Sequence, residues 1–157
     1  MIKSMKNEGF SLLMIPIVLS LILAFVSLGV DFGRVIILKH QLQSIADASA
    51  LAGASMIKLQ FATDDDGKYD FDKLNIELID EMAHEQSNIV YEKNLQILGI
   101  ENKGVEIIQH TSEITDEEIF RVIISAKIPM FLGEKFLGTK DIESITVFAD
   151  AKPRNVD

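Results

Sequence analysis

The chain has no cysteine among its 157 residues. That excludes disulfides, thiolate zinc centres, thiol nucleophiles and covalent haem attachment together, although it does not identify a compartment. Clustered lysine and arginine are missing too, so a phosphate-backbone partner is not expected, and nucleic acid is set aside. The three histidines, His40, His84 and His110, fall in three separate stretches with no His-x-x-x-His or Glu-x-x-His spacing. They read as surface or interface residues, and no catalytic, cofactor-binding or metal-ligating set is assigned. The single glycines at 99, 104, 133 and 138 form no phosphate-cradling loop. The run Asp64-Asp65-Asp66-Gly67 fails the EF-hand template, because aligning Gly67 with the invariant glycine puts Ala62 at the first ligand position and Lys73 at the last. It reads as a solvated turn, with loose divalent binding as the lesser alternative.

What is present divides into two unlike regions. Residues 1–60 hold five basic and three acidic side chains, a net of +2, whereas residues 61–157 hold ten and twenty-one, a net of −11. Within the first region, residues 10–30 form twenty-one consecutive positions without a charge. At about 1.5 Å per residue these span roughly 30 Å, the thickness of a bilayer's hydrocarbon core. The run is longer than a signal-peptide core, and no small-x-small cleavage site follows closely. A retained transmembrane helix over 10–31 is therefore expected, after a tail of residues 1–9. Lys3 and Lys6 on one side balance Arg34 and Lys39 on the other, so the positive-inside rule leaves the orientation open. Gly29 and Gly33 form a Gly-x-x-x-Gly pair that lets helix backbones approach closely, which makes self-association or packing on other helices an expectation.

The helical pattern continues past the apolar run. Leu38, Leu42, Ile45, Ala52, Met56 and Leu59 recur at helical steps, and nine of the twelve residues from Ser44 to Ser55 are Ala, Ser or Gly. An extramembrane Ala-rich helix is expected over 32–60, a narrow rod packing on like helices through Ala46, Ala50 and Ala54. Residues 61–157 then form an acidic domain. Residues 70–98 predict an amphipathic helix with Leu74, Leu78, Met82 and Ile89 on one side, capped by Asp70 or Asp72 and ended before Gly99. In residues 118–128 the period changes to two, as in a half-buried strand, and 104–111 and 142–151 read as further strands. The expected fold class is α+β: a long transmembrane helix extended as a rod, then a small antiparallel sheet with a packed helix.

These residues carry a family resemblance. Gly9 opening the charge-free span, Val30-Asp31-Phe32-Gly33-Arg34, Gln41-Leu42-Gln43, and the Ala-rich stretch holding Asp47 resemble the amino-terminal region of the TadE/TadG-like proteins of Flp (Tad) pilus assembly. A Pro129-Met130-Phe131 turn and a Phe-Leu-Gly step at 136–138 resemble the family more loosely. The resemblance implies a pilin-like architecture and a non-enzymatic, single-pass component of a Flp/Tad-type pilus or secretion system at the bacterial surface. Its partners would be the bilayer and other subunits of the system. It also implies a cytoplasmic amino terminus with the acidic domain outside the cytoplasmic membrane. Asp31, Gly33, Arg34 and Asp47 are its motif residues, and Asp31 is expected to pair locally with Arg34. Around Gly9 and Phe10 the sequence is similar to a prepilin-peptidase site, but Met14 stands where type IV pilins carry a glutamate. That departure favours an uncleaved anchor over cleavage after Gly9. From the residues alone, a tethered ligand-binding or sensory module outside the cytoplasm is the alternative function.

Overall fold

The computed structural model describes residues 5–63, 69–115, 118–129 and 143–153. The Asp64–Asp66 run, most of the Pro129-Met130-Phe131 turn and the 136–138 step lie outside them. Eight elements follow in chain order: helix α1 (Met5–Ala54), strands β1 (Ile57–Thr63) and β2 (Tyr69–Leu78), helix α2 (Asp80–Leu98), a 3-10 turn (Glu101–Lys103), and strands β3 (Glu106–Ile114), β4 (Phe120–Ile128) and β5 (Glu143–Ala151). The chain divides into two compact units, Met1–Ile37 with Pro129–Ile142, and Leu38–Ile128 with Glu143–Asp157.

In the first unit α1 runs helically through Pro16. Proline supplies no N–H to the preceding turn. One turn on, the Ser20 hydroxyl donates to the Pro16 carbonyl at 2.7 Å, a back-bond helices accommodate.

The second unit holds both sheets. β3, β4 and β5 form an antiparallel sheet with β4 central. On β4, Phe120, Val122, Ile124, Ala126 and Ile128 are buried and the residues between them half-buried. Across from them on β5, Ile145, Val147 and Ala149 are buried too. Period-two patterning has thus set one face inward, and burying a side chain such as Phe120 contributes about 3 kcal/mol. The other face is mostly polar, apart from Ile123 and the 64% exposed Phe148 opposite it. Arg121 donates to both Asp150 oxygens at 2.7 and 2.8 Å, with Glu113 at 3.9 Å, and the Ser125 and Thr146 hydroxyls meet at 2.9 Å. The hydrogen bond from Arg121 holds the Asp150 carboxyl below its ordinary range and raises the guanidinium.

Two expectations need correction. α1 stops at Ala54 rather than continuing to residue 60, and Ile57 begins a strand. Residues 69–78, read as the start of an amphipathic helix, are β2, antiparallel to β1 from Ile57↔Leu78 to Thr63↔Tyr69. The physical reason lies in the spacing. Leu74 and Leu78 stand four apart, which satisfies a helical step and twice a strand step, while Leu74, Ile76 and Leu78 also alternate. Sequence alternation breaks between Phe71 and Leu74, and the ladder correspondingly shifts register between Phe61 and Ala62. The acidic run of 64–66 therefore falls between two strands rather than two helices.

Helix α2 consequently starts at Asp80, not at Asp70 or Asp72. Its N-cap is Ile79, with no side-chain capping bond, and Asp80 and Glu81 supply acidic groups to its first turn. It ends where expected: Gly99 takes the left-handed conformation (φ 57°, ψ 40°), and Gly99 and Ile100 donate back to the Gln96 and Leu95 carbonyls. Met82 and Ile89, expected on the packed side, are exposed, and Ala83, Ser87 and Tyr91 are the buried residues.

Candidate membrane helix and helix-packing surfaces

Among the described residues, one helix is long and apolar enough to cross a membrane, within Met14–Ala54. Its first part presents large apolar side chains outward, with Ile15 65%, Phe25 66% and Ile37 59% exposed. Gly29 and Gly33 lie here. A Cβ built on either meets nothing within 4 Å among the described residues. At four-residue steps Ser27, Asp31 and Val35 are buried. The motif residue Asp31 is thus a buried acid at 3% exposure, and Arg34 is half-buried.

From Leu38 onward the helix behaves differently. Leu38, Leu42, Ile45, Ala46, Ser49, Ala50 and Ala54 are all buried within the second unit. The contact is close at Gly53, where a Cβ would stand 2.3 Å from the Phe120 ring, so only a hydrogen fits. Ala46, Ala50 and Ala54, expected as the packing stripe of a free rod, are inside the chain's own domain. Leu51, between them in sequence, is 68% exposed.

Polar side chains fasten this part of α1. The Gln43 amide donates to the Phe148 carbonyl on β5 at 2.9 Å and to the Asp47 carboxylate at 2.8 Å. β5 is an edge strand among the described residues, and the motif residue Asp47 orients the amide that bonds its backbone. Gln41 accepts from Lys103 of the 3-10 turn at 2.9 Å. Gln43 and Asp47 thereby work as a latch between helix and sheet, and Gln41 as one between helix and 3-10 turn. Their long-range partners could not be read from sequence, although the four-residue Gln43 to Asp47 spacing was visible as a local pair.

Two of the histidines join α2 to β3. His84 Nδ1 lies 2.6 Å from the Ser112 hydroxyl and Nε2 lies 3.0 Å from Asp80, while the ring packs against Phe120. His110 stacks on Tyr91 with centroids 3.6 Å apart and planes 4° apart. Burial lowers its pKa below the ordinary value, opposed in part by the Glu92 carboxylate. His40 is exposed on α1. Among the described residues no group of three His, Asp or Glu is arranged to hold a metal. Gly9 and Phe10 fall within the helical backbone of α1.

The arrangement defines a class: an apolar helix able to cross a bilayer, continuing without a break into the core of a small α+β domain. The likeness to a known family lies in the helix. Residues 9–56 match the family model described as "Putative Flp pilus-assembly TadE/G-like", which bears out the resemblance over that stretch, under a third of the chain. No curated protein and no solved structure matches the chain.

Proposed function

We propose that the chain is a membrane-anchored, non-enzymatic subunit of a Flp/Tad-type pilus assembly or secretion system, in a minor pilin-like or assembly role. The observation that carries this reading is the family match over 9–56, which covers the exposed apolar run and the latch residues together. In this reading α1 crosses the cytoplasmic membrane once, with the amino terminus in the cytoplasm and the acidic domain outside. Gly29 and Gly33 provide the close-approach surface for a neighbouring helix, of this chain or of another subunit. Asp31 and Arg34 stand at the end of the apolar run, where charged groups can reach the interface.

Replacing Gly33 with Leu in the full chain tests this role. Co-purification with other subunits of the system is expected to fall while the melting temperature of the domain stays the same. Wild-type co-purification would contradict helix packing through this pair. Mass spectrometry of the mature amino terminus is expected to find Gly9 retained, since Met14 stands in place of the pilin glutamate. A start at Phe10 would instead establish processing.

A further inference from the structure

The outward face of α2 carries an apolar stripe that the fold leaves uncovered: Met82, Ile89 and Ile97 are 47%, 49% and 69% exposed. Steps of seven and eight place all three along one side of the helix. Beside the stripe runs an acidic row of Glu81, Glu85 and Glu92, all exposed, at steps of four and seven. Lys93, between Ile89 and Ile97, is the one Lys or Arg of the helix.

At its carboxy-terminal end the row opens into a cleft of about 440 Å³. Leu95 and Ile107 give the cleft an apolar part, and Glu92, Gln96 and Asn102 supply its acceptors. The last turn of α2 contains no basic residue to offset the helix carbonyls. An aliphatic stem ending in a cation matches these features: methylenes against Leu95 and Ile107, and the charge toward Glu92 and the negative end of the helix dipole.

We infer that this face docks a basic amphipathic segment of a protein partner, with one Lys or Arg entering the cleft. Charge selects the occupant. A second copy would set acidic row against acidic row in a region whose net charge is −11, and anionic lipid headgroups would be repelled likewise. The inference goes beyond the pilus-assembly reading and does not depend on α1 crossing a membrane.

The test is photocrosslinking in cells, with the full chain carrying a photoreactive amino acid at position 89 or, separately, at position 97. Thr146 on the polar sheet face serves as the control position. The expected result is an adduct from 89 and 97 but not from 146, whose crosslinked segment, sequenced by mass spectrometry, carries Lys or Arg at helical spacing. Combining Glu85→Lys with Glu92→Lys should lower the yield about tenfold or more without changing the melting temperature. Reversing the partner's basic residues to Glu should restore it. Absence of an adduct at both positions, an adduct with lipid or with a second copy, or a yield indifferent to charge reversal would each overturn the proposal.

Discussion

The two parts of α1 use small residues in opposite ways. Beyond Leu38, Ala46, Ala50, Gly53 and Ala54 are consumed by the chain's own fold, with Gly53 set against Phe120 so closely that a methyl group would collide. Before it, a Cβ added to Gly29 or Gly33 would meet nothing within 4 Å among the described residues. The same composition along one helix therefore has two meanings. Where a sheet lies over them, small residues bring helix and strand into contact and fix the core. Where no described residue lies over them, an added methyl group meets no obstacle. A helix that looks like a uniform packing rod is part candidate membrane span and part core element.

The contrast can be broken most severely at its centre. Phe120→Ala would empty the space that Gly53 makes room for, and is expected to cost about 3–5 kcal/mol in an unfolding titration of the full chain. Overfilling the same seam should cost less. Gly53→Ala and Ala50→Leu are each expected to destabilise the domain by about 1–3 kcal/mol, whereas Gly29→Ala and Gly33→Ala should cost nothing. Equal losses in the two glycine groups would erase the distinction. The latch sharpens the contrast further. Gln43→Ala removes the bond to the Phe148 carbonyl and should cost about 0.5–1.5 kcal/mol, and Asp47→Ala less, since Asp47 acts through Gln43.

The smallest expected effect is a pH dependence. His110 has a pKa lowered from 6.5 by burial, so the unfolded chain takes up a proton first as the pH falls. Its contribution is present above pH 6.5 and is lost as the pH falls from there toward the lowered folded value. His110→Phe, which keeps a ring against Tyr91, should flatten this part of the stability profile. Asp150 adds a slope of the same sign at lower pH, beginning near its ordinary value of 3.8. A profile that rose on acidification would contradict both assignments.

Much of this was legible in the sequence. The alternation from Phe120 to Ile128 announced β4, the flanking strands were found within a few residues, and Gly99 marked the end of α2. The apolar run and the motif around Asp31 and Asp47 pointed to the family that residues 9–56 match. The hairpin of β1 and β2 was missed because Leu74 and Leu78 satisfy both periods. Helical spacing also chose the wrong side of α2, since Met82 and Ile89 are larger and more apolar than Ala83 and Ser87, yet the small pair is what fits beneath the sheet. The destiny of the Ala-rich stripe was not legible at all. Composition says that such a surface can pack closely but not whether its partner is another subunit or a strand 70 residues further along the same chain, as Phe120 is for Gly53 in round terms (~70).

Because the chain has no native cysteine, single cysteines report on burial without background. The most direct test compares Ala50→Cys with Leu51→Cys in the folded, full-length protein under a soluble maleimide. Ala50 is 1% exposed and Leu51 68%, although they are neighbours in sequence. Labelling at Leu51→Cys should be fast, and labelling at Ala50→Cys should appear only on unfolding. Comparable rapid labelling at both positions would show that the Ala-rich stripe is a free surface, and would contradict its place in the core.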